Sequence, residues 1–152
     1  MNAKSLLLIP SVAIAACSLL SDPDDGSTPP VDAHGLIVGF VRDTAGRGVS
    51  NAKVCGTAVL TIRGTPVILS NIATTTASGA YHIPFDFGVD TNMHAGLTVT
   101  ASPPVASGLA PSMQSGLTLL IAVTPPPAET THAVFVVSKG TPYDGYFCTY
   151  GP

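Results

Sequence analysis

The sequence predicts an all-β protein: a Greek-key β-sandwich of seven or eight short strands. Three observations point there. Charged residues make up 10% of the 152 residues, against about 25% in a typical soluble domain. Fifteen Gly and fourteen Pro punctuate the chain, below the level of a disordered segment but dense in turn-formers. Apolar residues recur with a period of two, the mark of half-buried strands, and no stretch shows the helical period. The length leaves room for one domain.

The elements follow in chain order. Met1–Lys4 carries one basic side chain, and Ser5–Ala16 is apolar or small. A bilayer-spanning helix needs about 20 apolar residues, and this run is shorter and interrupted by Pro10. Its size and flanks predict a secretory signal over residues 1–16. The run closes on Ile14-Ala15-Ala16-Cys17, which resembles the bacterial lipobox, an aliphatic residue and two small ones before the cysteine. The resemblance implies that Cys17 takes a diacylglyceryl group, becomes the mature N-terminus and carries palmitate-type acyl chains. More than one chain makes release from a membrane negligible. Ser18 stands where an Asp would imply inner-membrane retention in Gram-negative bacteria. The expected location is therefore the bacterial cell envelope, at the outer membrane.

Residues 17–33 read as a lipidated cysteine followed by a flexible linker. Ser21–Asp32 (SDPDDGSTPPVD) has clustered Asp, paired Pro and almost no apolar content. About fifteen residues, fully extended, reach on the order of 50 Å. The domain is expected over residues 34–152. The formal net charge of −3 lies ahead of the domain, in Asp22, Asp24, Asp25 and Asp32 of the linker offset by Lys4, because from Ala33 onward Asp43, Asp86, Asp90, Glu129 and Asp144 balance Arg42, Arg47, Lys53, Arg63 and Lys139. A neutral domain with scattered bases offers no basic stripe, which excludes nucleic acid as a partner.

Within the domain, Leu36–Arg42 is an apolar, β-rich run, followed by a turn at Thr44–Gly48. From Ala52 to Ile62 the apolar side chains alternate with mostly polar ones, a half-buried strand. Val67–Thr76 and Ala80–Phe87 flank a turn at Ser78-Gly79. Leu97–Thr100 alternates, and Leu117, Leu119, Ile121 and Val123 share one face of a strand that Pro125–Pro127 ends. Ala133–Ser138 is almost continuously apolar, which predicts burial on both sides. Asp144-Gly145 predicts a hairpin turn into an eighth strand, Tyr146–Tyr150.

The segment Gly39-Phe40-Val41-Arg42-Asp43-Thr44-Ala45-Gly46-Arg47-Gly48-Val49-Ser50-Asn51-Ala52-Lys53-Val54 resembles the opening of carboxypeptidase regulatory-like domains, which have a transthyretin-like fold. A second landmark, Thr75–Ile83, resembles their Thr-x-x-x-Gly-x-Tyr element. Gly46 can supply a positive φ, Asp43 can accept N–H bonds across the turn, and Val41, Val54 and Tyr81 can supply core. Gly48 and Thr76 depart from the family, which commonly has Pro and often Asp there. Most such domains are non-catalytic, so the resemblance implies a binding or structural module. The zinc peptidase that names them has no counterpart here, as no His-x-x-Glu motif occurs.

The remaining chemistry is sparse. His34, His82, His94 and His132 show no metal-site spacing, and His82 is expected to face solvent. The chain ends Tyr150-Gly151-Pro152, unlike the Tyr-Arg-Gly-Ser tail of hydroxyisourate hydrolases on a similar fold. No Gly-x-Ser-x-Gly elbow appears. No cofactor, metal site or catalytic residue is expected. With Cys17 lipidated, Cys55 and Cys148 remain, and in an oxidising compartment they either bridge or stay as buried thiols. Tyr143, Tyr146, Phe147 and Tyr150 form a ring-rich C-terminal cluster that either stacks on a sugar or peptide or packs on the domain. Ser102–Ser115 reads as a long loop, a binding loop or a connector. The leading expectation is a membrane-anchored, non-enzymatic module with a protein or glycan partner; the alternative is an enzyme accessory or weak hydrolase on the same fold.

Overall fold

A computed structural model describes residues 33–123, 130–143 and 148. Seven strands form the domain: β1 (Ala33–Asp43), β2 (Lys53–Ile62), β3 (Thr65–Thr74), β4 (Ala80–Phe87), β5 (Met93–Ser102), β6 (Ser112–Ile121) and β7 (Thr131–Val137). They make a three-stranded sheet, β4-β1-β7, and a four-stranded sheet, β3-β2-β5-β6. The all-β sandwich is as the sequence predicts. β1 is central in the first sheet, antiparallel to β4 and parallel to β7. The second sheet is antiparallel throughout.

The core lies between the sheets and follows from the alternation. β1 contributes Ile37 and Val41, β4 Ile83, Phe85 and Phe87, and β7 Phe135 and Val137. Facing them are Val54, Ala58 and Leu60 of β2, Leu97 and Val99 of β5, and Leu119 and Ile121 of β6. The rings of Phe85 and Phe87 stack with centroids 6.1 Å apart. Val41, Val54 and Tyr81 are buried as expected. β2 and β3 are joined by a two-residue hairpin turn, Arg63-Gly64, with both residues at positive φ (49° and 83°). That geometry matches the twist of the flanking strands.

Two expectations are corrected. β7 is not buried on both sides: Ala133, Phe135 and Val137 face the core, while Val134 and Val136 are 51% and 63% exposed. All-apolar composition concealed an ordinary one-sided strand, with nothing among the described residues packed on its outer face. The Ser102–Ser115 segment is also not a long loop. A short 3₁₀ turn, Val105–Ser107, follows β5, and β6 begins at Ser112. The expected Asp144-Gly145 turn and Tyr146–Tyr150 strand fall outside the described residues, apart from Cys148.

The two edges on one side of the sandwich are stitched together. Gln114 Nε2 donates to the Val134 carbonyl at 2.6 Å, and Thr131 Oγ1 donates to the Thr118 carbonyl at 2.7 Å, both from one sheet to the other. On the other side, Asn71 Nδ2 of β3 donates to the carbonyl of Pro84 in β4 at 2.8 Å.

Candidate functional site

The two sequence landmarks converge at the end of the sandwich where β1 finishes. Asp43 Oδ1 accepts the backbone N–H groups of Ala45 and Arg47, each at 2.9 Å. Its Oδ2 receives Arg47 Nε at 2.8 Å and Nη2 at 2.7 Å. The Arg47 N–H, then its guanidinium, hold the Asp43 carboxyl below the ordinary carboxylate range. Gly46 at φ 79° completes the turn. The expected role of Asp43 as an acceptor across the turn is therefore what the structure has.

Thr75 ties the second landmark to the first. Its buried hydroxyl donates to the Val49 carbonyl at 2.7 Å and accepts the Ala52 N–H at 2.8 Å. The Thr75 N–H reaches the Ala52 carbonyl at 2.9 Å. Tyr81 then crosses the three-stranded sheet, its buried hydroxyl donating to the Ala133 carbonyl of β7 at 2.6 Å. Burial pushes the Tyr81 hydroxyl well above its usual range. A side chain at Gly39 would collide with the Ala133 carbonyl and lie 2.7 Å from the Tyr81 hydroxyl, so glycine is what lets Tyr81 in. Gly48 packs directly on the backbone of Ser78 with no space for a Cβ, so glycine at this position serves close packing.

Beside this turn lies a cleft of about 520 Å³, bordered by Asp43, Arg47, Ser50, Ser107, Leu109 and Lys139. No family model matches the chain, and no curated protein matches it. The chemistry is therefore read from the residues. Among the described residues on the cleft, Arg47 is already paired with Asp43, while Ser50, Ser107 and Lys139 offer further hydrogen-bonding groups beside Leu109.

The other sequence-predicted positions are dispersed. Cys55 and Cys148 are joined as a disulfide, with Cα atoms 5.8 Å apart. Tyr143 is 49% exposed; Tyr146, Phe147, Tyr150 and the lipidation candidate Cys17 lie outside the described residues. His82 is exposed. His34 Nδ1 meets Asp86 Oδ1 at 2.7 Å on neighbouring strands β1 and β4. Among the described residues, no group of three or more His, Cys, Asp or Glu side chains is placed to hold a metal ion.

The outer face of the three-stranded sheet is the feature sequence reasoning missed. Phe40 of β1 stands beside Val134 of β7, and Arg42 beside Val136. Phe40 is 38% exposed, so an aliphatic and aromatic row faces outward. The Arg42 guanidinium sits 5.0 Å from the Phe40 ring centroid, a cation–π distance. Half-buried Leu36 and Val38 extend the patch along β1. On either side of Val38, in register, stand His82 and His132. Alternation in β1, with Phe40 and Arg42 on the face opposite Val41, was the available signal.

Proposed function

We propose that this chain is an extracytoplasmic bacterial lipoprotein. Acyl chains on Cys17 hold it at the envelope, most naturally the outer membrane, and its β-sandwich serves as a non-catalytic binding or structural module. On this reading the domain is of the carboxypeptidase regulatory-like, transthyretin-like type, and its partner is a protein or a glycan. One observation carries the reading: β1 begins at Ala33 and ends at Asp43, on the border of the cleft. Eleven extended residues span about 36 Å, so the cleft and its turns lie at the end of the sandwich remote from the tether. A lipid-held domain arranged this way keeps its loop-lined end accessible. The Asp43 carboxylate on the cleft is already engaged by the turn and by Arg47, which supports surface recognition at this end of the domain.

The test is fractionation of a bacterial host expressing the full chain, with palmitate labelling. The wild-type protein is expected in the membrane fraction, labelled and released only by detergent. Cys17→Ala protein is expected unlabelled and outside that fraction. Wild-type protein that is exported, unlabelled and soluble would refute the anchor.

A further inference from the structure

We propose that the outer face of the three-stranded sheet is a docking surface for the lipid bilayer, laying the domain against the membrane that anchors it. This rests on the reading of Cys17 as the lipidated residue.

The face carries an apolar cluster around Phe40, Val134 and Val136, with His82 and His132 in register beside Val38 and His34 and Asp86 toward the start of β1. Phe40, Val134 and Val136 are exposed side by side, and Leu36 and Val38 continue the patch toward the start of β1. Isolated exposed aliphatics need no explanation, but a contiguous set on one sheet face marks a contact surface. The stitching by Gln114 and Thr131 fixes β7 against the other sheet, so the patch sits on a braced strand.

Two features select the bilayer as the occupant. The first is where the chain outside the structure leads. Ser18–Asp32, fifteen residues, separates Cys17 from Ala33, the first residue of the strand that carries Leu36, Val38 and Phe40. The tether spans at most about 50 Å, which confines the face near the membrane while allowing the sheet to lie flat. Confinement raises the effective concentration of the face at the surface, so a weak contact suffices. The second feature is charge. Arg42 lies at the margin of the patch with its guanidinium over the Phe40 ring, an arrangement that keeps a cation at an apolar–polar boundary beside anionic headgroups. Asp86, at the opposite end of the face, hydrogen-bonds His34 at 2.7 Å, so the apolar cluster has its cation, Arg42, directly beside it and the carboxylate at a distance. That end of the face suits an anionic phospholipid headgroup next to acyl chains. In this orientation the strands lie parallel to the bilayer, the cleft opens sideways, and the four-stranded sheet faces outward toward other partners.

The experiment uses the full-length lipidated protein in phosphatidylethanolamine–phosphatidylglycerol vesicles containing nitroxide-labelled lipids. A fluorophore is placed on Val136→Cys or, on the opposite sheet, on Val59→Cys, which is 47% exposed in the wild type. Labelling without reductant spares the Cys55–Cys148 pair. The probe at position 136 is expected to be quenched severalfold more than the probe at 59. Adding Val134→Asp is expected to abolish most of that difference while the thermal midpoint stays unchanged. Equal quenching at both sites, with the protein still floating with the vesicles, would overturn the docking and leave the anchor standing. Disulfide-linked dimers forming through position 136 would assign the face to a second copy and overturn it equally. Protection of the 136 probe by a soluble envelope protein, without quenching, would also overturn it. Protein that fails to float with the vesicles would instead remove the anchor on which the proposal rests.

Discussion

On the four-stranded sheet, Cys55 and Thr100 stand on the outward side of neighbouring strands yet are only 8% and 7% exposed; on the three-stranded sheet, Val134 and Val136 stand outward and are mostly exposed. Both faces arise from the same period of two. On the first, the disulfide brings Cys148 to the middle of a row that runs Ile72, Cys55, Thr100, Met113 across four strands. The ends of that row stay exposed. On the second, none of the described residues covers the row. The difference teaches that alternation decides which residues can face outward, whereas a covalent tie decides which of those are shielded.

The sharpest way to break this comparison is within β7 itself. Phe135→Ala removes a ring from the fully buried side and is expected to destabilise by about 3–5 kcal/mol. Val136→Ala, one residue on, is expected to change stability by no more than about 0.5 kcal/mol. Urea unfolding of the two variants in lipid-free solution makes the measurement. Comparable losses at both positions would mean that β7 is covered on both sides, and the contrast between the two sheets would vanish.

The next effect falls on the shielded face. Replacing Cys55 and Cys148 together by Ser opens a loop with a sequence separation of 93 residues. The expected loss is about 2–4 kcal/mol, the usual range for a native disulfide. Reductant should produce the same shift in the wild-type urea midpoint and none in the double variant. A wild-type midpoint indifferent to reductant would show that the covalent tie contributes nothing to this face.

These contrasts also mark what could be read in the chain. Asp43 and Gly46 were legible because their work is local, a carboxylate bonding the next turn and a glycine at a tight place; Thr75, Gly79 and Tyr81 were visible only as a resemblance, because Thr75 and Tyr81 bond partners 23 to 52 residues away. The strands were legible wherever polar residues broke the apolar pattern, as in β2 and β4. β7 was not, because Ala133–Val137 is apolar at every position and composition cannot tell two buried faces from one buried and one bare. Periodicity is equally silent on neighbours. That β1 lies between antiparallel β4 and parallel β7 depends on pairings some forty to ninety residues apart in sequence. The cysteine pair was countable from the sequence, but its bridging depended on Cα atoms meeting at disulfide distance, a property of the whole fold. The need for Gly48 was not legible, because the Ser78 backbone against it comes from the second landmark, thirty residues on.

The smallest expected effect lies off both faces, in the turn that carries the chain from the three-stranded to the four-stranded sheet. Asp43 accepts two backbone N–H groups and the Arg47 side chain, which lower its pKa in the folded state below the ordinary value near 3.8. In the unfolded chain these bonds are absent, so folding is favoured by the ionised carboxylate. That contribution is fully present above the unfolded pKa and is lost as the pH falls through the lower, folded one. Thermal midpoints taken from neutral pH downward should therefore show a decline in the acid range that Asp43→Asn makes shallower, with the variant already less stable at neutral pH. Arg47→Ala should give an intermediate slope, because the backbone bonds remain when the guanidinium is gone. Parallel midpoint–pH curves for all three proteins would show that the turn joining the two sheets owes nothing to this charge.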